Sequence, residues 1–122
     1  MPSPTQQRGK LAEDFVAQWL QQQHYEILDQ HYTCRFGEID IIARKNDTLI
    51  FIEVRARKTS AFGDVLQSMS QSKQQRLAAA IEDYRNTHPQ YQKMLYQCDL
   101  VAVNPINNAL QHYPHLSLDV ET

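Results

Sequence analysis

The chain reads as an α/β domain: a single β-sheet with helices packed against it, in the order α-β-β-β-α-β with room for one further strand. Three observations predict this. An apolar stripe at helical spacing opens the chain in "LAEDFVAQWLQQQ". Two isoleucine-rich runs joined by Asn46-Asp47 follow in "GEIDIIARKNDTLIFIEVRAR". A second long helical pattern then leads into the short apolar run "CDLVAV".

Each element has its own warrant. Leu11, Ala12, Phe15, Val16, Trp19 and Leu20 recur at helical spacing, so the first helix presents one face to the core. Glu13 falls at the edge of that face, and Asp14 points away. "YEILDQHYTC" reads as the first strand, and residues 39–43 and 49–56 as the two strands of a hairpin. "KTSAFGD" is a loop, with Gly63 as its flexible point and Asp64 as the cap of the next helix. Leu66, Met69, Leu77, Ala80, Ile81 and Tyr84 mark one long helix or two shorter ones, and Lys73 lies on their apolar stripe. "NTHPQ" stops that helix, because a residue before proline avoids helical geometry. After "CDLVAV" comes the turn "NPINN", and a last strand is expected in "LSLDVE".

The 122 residues suit one domain, 1–122, with its core in about residues 8–103. The opening "MPSPTQQRGK" has no apolar run behind its charges, so no signal peptide is expected. No stretch approaches the roughly 20 apolar residues of a membrane helix. Cys34 and Cys98 do not make a secreted disulfide framework. These features predict a soluble, cytoplasmic protein with free thiols. The net charge of −2 is unevenly spread. From Arg35 to Arg76 eight Lys/Arg face five Asp/Glu, a net of +3, and the remainder carries four against nine, a net of −5. A local phosphate-facing surface fits this distribution, and so does a merely solvated charged face.

The hairpin carries the chemistry. An even-length turn centred on Asn46-Asp47 pairs residues whose numbers sum to 93. Alternation then gives one face to Ile39, Ile41, Ala43, Ile50, Ile52, Val54 and Ala56, all apolar. The other face carries Glu38, Asp40, Ile42, Phe51, Glu53, Arg55 and Arg57. In this register Asp40 is opposite Glu53 and Glu38 is opposite Arg55. Carboxylates directly opposed lie roughly 4.5–5.5 Å apart at Cβ and repel. A shared proton, neighbouring Arg55 and Lys73, or a divalent cation would relieve them. Mg²⁺ favours one or two carboxylates, several waters and a substrate phosphate. The ion would polarise a phosphate oxygen, and the adjacent base would stabilise charge on phosphorus. The alternative is an ordinary solvated face held by cross-strand ion pairs such as Glu38–Arg55.

"GEIDIIARKNDTLIFIEVRAR", followed by "FG" and a lysine-bearing helix, resembles the YraN-like family of small bacterial proteins. That family in turn resembles the restriction-endonuclease-like, PD-(D/E)xK nucleases, Holliday-junction resolvases in particular. The resemblance covers residues 10–103. It implies a restriction-endonuclease-like αβββαβ core with a mixed sheet, and a Mg²⁺- or Mn²⁺-dependent endonuclease acting as a homodimer on DNA, branched DNA in particular. It assigns the metal to Glu13, Asp40 and Glu53, and the lysine of the motif to Arg55. Where the family reads "EVK", this chain reads "EVR". Arginine holds a phosphate but keeps its proton, so Arg55 is no general base; water activation would rest on the metal, or Lys73 would substitute from the helix. The family's asparagine and arginine before "GEID" are replaced within "DQHYTC".

Arg57, Lys58 and Arg76 are candidate phosphate contacts because they lie near the acids, and Thr59 and Ser60 in the following loop are further ones. His112 and His115, in "HYPH", lack the additional ligands of a zinc site. Tyr91 and Tyr96 are packing residues before they are base-stacking platforms. Two readings stand beside the nuclease: a nucleic-acid-binding module with a degenerate site, and a protein-interaction scaffold.

Overall fold

A computed structural model describes residues 4–58 and 62–118. Helix α1 (Pro4–Gln22) is followed by strands β1 (Glu26–Cys34), β2 (Gly37–Lys45) and β3 (Thr48–Ala56). Helices α2 (Phe62–Gln67) and α3 (Gln71–Thr87) come next, then a 3₁₀ turn at Pro89–Tyr91, β4 (Leu95–Val103) and β5 (Leu110–Tyr113). The sheet runs in the order β1-β2-β3-β4-β5. Among the described strands β3 and β4 are parallel, and the other neighbours are antiparallel. This is the mixed, helix-flanked sheet of the α/β class, and it is consistent with a restriction-endonuclease-like core. Among the described residues, no helix is long and apolar enough to cross a membrane.

The hairpin register is the expected one. Ile41 pairs with Ile52, Ile42 with Phe51 and Lys45 with Thr48, around Asn46 at φ 55°. An Asn tolerates that left-handed backbone better than most residues. The two faces feed two cores. Ile41, Ala43, Ile50 and Ile52 pack with Val101 and Val103 against Val16 and Leu20 of α1. Ile42, Leu49, Phe51 and Leu100 pack against Leu77, Ala80, Ile81 and Tyr84 of α3.

Four expectations are corrected. Ile39 lies in the α3 core rather than beside Ile41, so β2 changes its facing between them, at Asp40. Leu11 and Phe15 are exposed, because the first part of the apolar stripe overhangs the sheet. Asp64 sits inside the first turn of α2 instead of capping it, and the side-chain cap found here is Ser70, which accepts the Lys73 N–H at 3.1 Å and starts α3. The fifth strand is "LQHY", not "LSLDVE"; residues 116–118 are irregular and the rest of that segment lies outside the described residues.

Glycine has a particular task at the start of β2. A Cβ on Gly37 would lie 3.1 Å from the Arg76 carbonyl oxygen and 3.2 Å from Arg76 Cβ. The missing side chain therefore lets the α3 backbone settle directly on "GEID". One turn earlier on α3 is Lys73, which this approach carries toward the sheet.

A candidate metal and phosphate site

The ladder between β2 and β3 ends at Ile41 and Ile52. Beyond it, Asp40 accepts the Val54 N–H at 2.8 Å through its side chain. Asp40 and Glu53 are thus neighbours, but not the flat cross-strand pair that alternation alone predicts. The Asp40 carboxylate sits against that of Glu13 from α1, and the two share a hydrogen bond. Burial, that hydrogen bond, and the charges of Asp40, Glu38 and Asp14 raise the Glu13 carboxyl to about 8. A carboxyl held so far above its ordinary range marks a site with negative charge in excess, which one proton or one cation can balance.

Glu53 is 2% exposed. Its Oε1 lies 3.4 Å from Lys73 Nζ and 3.5 Å from Arg55 Nε. Burial and the Asp40 charge raise it to about 7, against the opposing pull of Lys73 and Arg55. The structure thus brings Glu13 and Asp40 together, and places Glu53 with its two bases beside them. The Glu38–Arg55 ion pair of the solvated-face alternative is absent among the described residues: Glu38 turns to His31 and Arg55 to Glu53. Arg55 Nη2 is buried and finds no acceptor among the described residues.

One residue here had no place in the sequence reading. His31 of β1 has Nδ1 3.5 Å from Glu13 Oε1 and Nε2 3.2 Å from Glu38 Oε2. One ligand atom each from Glu13, His31 and Asp40 lie within 4.8 Å of one another. The only signal in the sequence was that "DQHYTC" departs from the family pattern at this strand.

The remaining candidates surround the cluster. Arg76 joins Lys73, Gly37 and Glu38 around a cavity of about 120 Å³. Arg55 and Arg57 form part of the wall of a groove of about 630 Å³ whose apolar side includes Leu11, Phe15 and Val103. Lys58 is exposed and, with Arg57, borders a small pocket of about 180 Å³ that includes Asn104 and Gln111. Thr59 and Ser60 lie outside the described residues. Tyr91 stacks on Tyr84, and Tyr96 lies under the Arg85 guanidinium. His112 belongs to a separate buried network around Asp99.

Residues 12–103 match the model of the uncharacterised protein family UPF0102. A UPF0102 protein of Dictyoglomus turgidum is 37% identical over 103 residues, which covers 84% of this chain and 87% of that protein. UPF0102 protein NE0719 of Nitrosomonas europaea is 43% identical over 81 residues, covering 66% and 69%. A UPF0102 protein of Chloroflexus aurantiacus is 31% identical over 116 residues, covering 95% and 94%. Every residue of the acid and base cluster, from Glu13 to Arg76, falls inside the matched span, and the chain belongs to the UPF0102 family.

Proposed function

We propose that this protein is a divalent-metal-dependent endonuclease that hydrolyses phosphodiester bonds in DNA. One observation carries the reading: three acids from α1, β2 and β3 gather where the β2–β3 ladder opens, with Lys73 and Arg55 on the third. The donor set suits a hard divalent cation, because Glu13 and Asp40 offer adjacent carboxylate oxygens that otherwise need a proton between them. Mg²⁺ or Mn²⁺ is the proposed ion, held by Glu13, Asp40 and Glu53. Such an ion supplies Lewis acidity, polarising a phosphate oxygen and acidifying a water.

The chain's own groups do the rest. Lys73 is an ammonium beside Glu53 and stabilises the negative charge that builds on phosphorus. Arg55 binds phosphate with the N–H that nothing else in its surroundings accepts. It stays charged throughout and takes no proton. The water oxygen bonds to phosphorus as the bond to the leaving sugar oxygen breaks. Arg57, Lys58 and Arg76 would hold flanking phosphates, and the preference for branched DNA rests on the fold analogy alone.

The test is incubation of the purified protein with branched, single-stranded and duplex DNA under Mg²⁺ or Mn²⁺, beside Asp40→Ala. Cleavage by the wild type and not by the variant supports the nuclease. Binding without cleavage in both identifies a binding module, and neither binding nor cleavage removes both nucleic-acid readings.

A further inference from the structure

We propose that His31 is a direct ligand in the Glu13–Asp40 site, and that this makes the site favour Mn²⁺ and other first-row transition ions over Mg²⁺. The inference rests on the reading of the cluster as a metal site and deepens it by naming the ion class.

Two geometric facts carry it. The first is convergence: Glu13, His31 and Asp40 each present a ligand atom, and the three lie within 4.8 Å of one another. His31 and Asp40 lie across from each other in the β1–β2 pair, between Gln30–Ile41 and Tyr32–Ile39, and Glu13 joins them from α1. The second is the other side of the imidazole ring. Nε2 lies 3.2 Å from Glu38 Oε2 while Nδ1 faces Glu13. Metal-binding histidines commonly donate their second ring N–H to a carboxylate, which fixes the tautomer and leaves a lone pair toward the ion. Glu38 supplies that carboxylate, and with the ring proton on Nε2 the Nδ1 lone pair would face Glu13 and the ion. His31 is exposed, so water and ions reach the ring.

The ligand type then decides the ion. Mg²⁺ prefers an all-oxygen octahedron and keeps most of its water. Imidazole nitrogen suits Fe, Ni, Cu and Zn best, and a mixed nitrogen–oxygen set gains affinity from Mn²⁺, the weakest of the first-row series, upward, whereas Mg²⁺ gains nothing from it. Carboxylates from Glu13 and Asp40 alone would not discriminate in this way. His31 and Glu38 therefore tune which ion the site takes.

The experiment measures ion binding directly on the full chain, without DNA. Mn²⁺ binding is followed by its electron paramagnetic resonance signal and Mg²⁺ binding by calorimetry, in wild type, His31→Asn and Asp40→Asn. Asparagine accepts the left-handed backbone of this position, where φ is 58°, so His31→Asn retains the fold. The wild type is expected to bind Mn²⁺ at least about tenfold more tightly than Mg²⁺, and His31→Asn to lose most of that preference with Mg²⁺ affinity little changed. Zn²⁺, as a diamagnetic probe, should shift the imidazole Nδ1 resonance of His31 in a ¹⁵N spectrum. An unchanged Mn²⁺/Mg²⁺ ratio in His31→Asn, with both ions lost in Asp40→Asn, overturns the role of His31 and leaves the metal site standing. A wild type that binds neither ion overturns both.

Discussion

Asp40 accepts the Val54 N–H at 2.8 Å just past the last paired residues of the hairpin, Ile41 and Ile52. One carboxylate therefore closes the end of the ladder with one oxygen and faces Glu13 as well. The two duties separate by mutation. Asn keeps an oxygen for Val54, so Asp40→Asn should stay within about 1 kcal/mol of wild-type stability. Asp40→Ala leaves the Val54 N–H unmet and should cost about 1–3 kcal/mol. Both should lose metal binding. Urea denaturation beside a calorimetric metal titration checks the pair; equal stability of the two variants would show that the Val54 bond is dispensable.

Gly37 contributes space rather than backbone freedom, since no glycine here has a positive φ. A Cβ at that position would press on the Arg76 backbone at 3.1 Å and push α3 off the sheet. Overpacking of this kind typically costs about 1–3 kcal/mol. Gly37→Ala should show that loss in thermal or urea unfolding. It should also lengthen the 3.4 Å contact from Lys73 to Glu53 and lower the proposed cleavage with the Asp and Glu residues intact. A variant as stable and active as wild type would mean that α3 accommodates a methyl group without moving.

Much of this arrangement was legible in the sequence because two periodicities agreed. Alternation on either side of Asn46-Asp47 fixed the register, and Lys73 on an apolar stripe pointed at a buried acid, which is Glu53. Alternation failed at Asp40, where β2 changes facing and Ile39 enters the opposite core. A side chain that bonds a backbone N–H leaves no periodic trace. His31 was hidden for a related reason: its position depends on a positive φ in β1, downstream of a register shift between Ile27 and Asp29. Leu11 and Phe15 sit in the right helical phase, but a stripe says nothing about where the sheet beneath it ends.

The raised carboxyl of Glu13 has a consequence for stability. A group that binds its proton more tightly folded than unfolded stabilises the fold at low pH and loses that contribution as pH rises. The loss begins above the ordinary value of 4.5 and is complete by about 8, and Glu53 adds to it up to about 7. The metal-free protein should therefore lose stability between about pH 5 and pH 8. Glu13→Gln should flatten this profile, and saturating Mn²⁺ should restore stability most at the upper end, where the proton it replaces is absent. Melting temperatures across that range, with and without metal, give the comparison. A Glu13→Gln profile as steep as wild type would place the titration elsewhere.

Asp99 provides a second, opposite pH response. It is fully buried on β4, and burial alone would raise its carboxyl. The bonds from His112 at 2.7 Å, Gln97 at 2.8 Å and the His115 N–H at 3.1 Å outweigh burial and hold it below its ordinary value. "HYPH" thus reads as a clamp: β5 and the turn after it are tied to a buried acid of β4. A carboxyl lowered on folding stabilises the fold above its unfolded value, 3.8, and loses that contribution as pH falls through the lower folded value. His112→Ala removes one of three partners and leaves a buried carboxylate short of a bond, at a cost of about 2 kcal/mol at neutral pH. It should also move acid unfolding to higher pH. Trp19, the single tryptophan, meets the His112 ring edge-on at 5.8 Å, so its fluorescence reports the clamp directly. The acid midpoint followed at Trp19 should rise in His112→Ala. An unchanged midpoint together with unchanged neutral stability would show that Gln97 and His115 hold Asp99 by themselves.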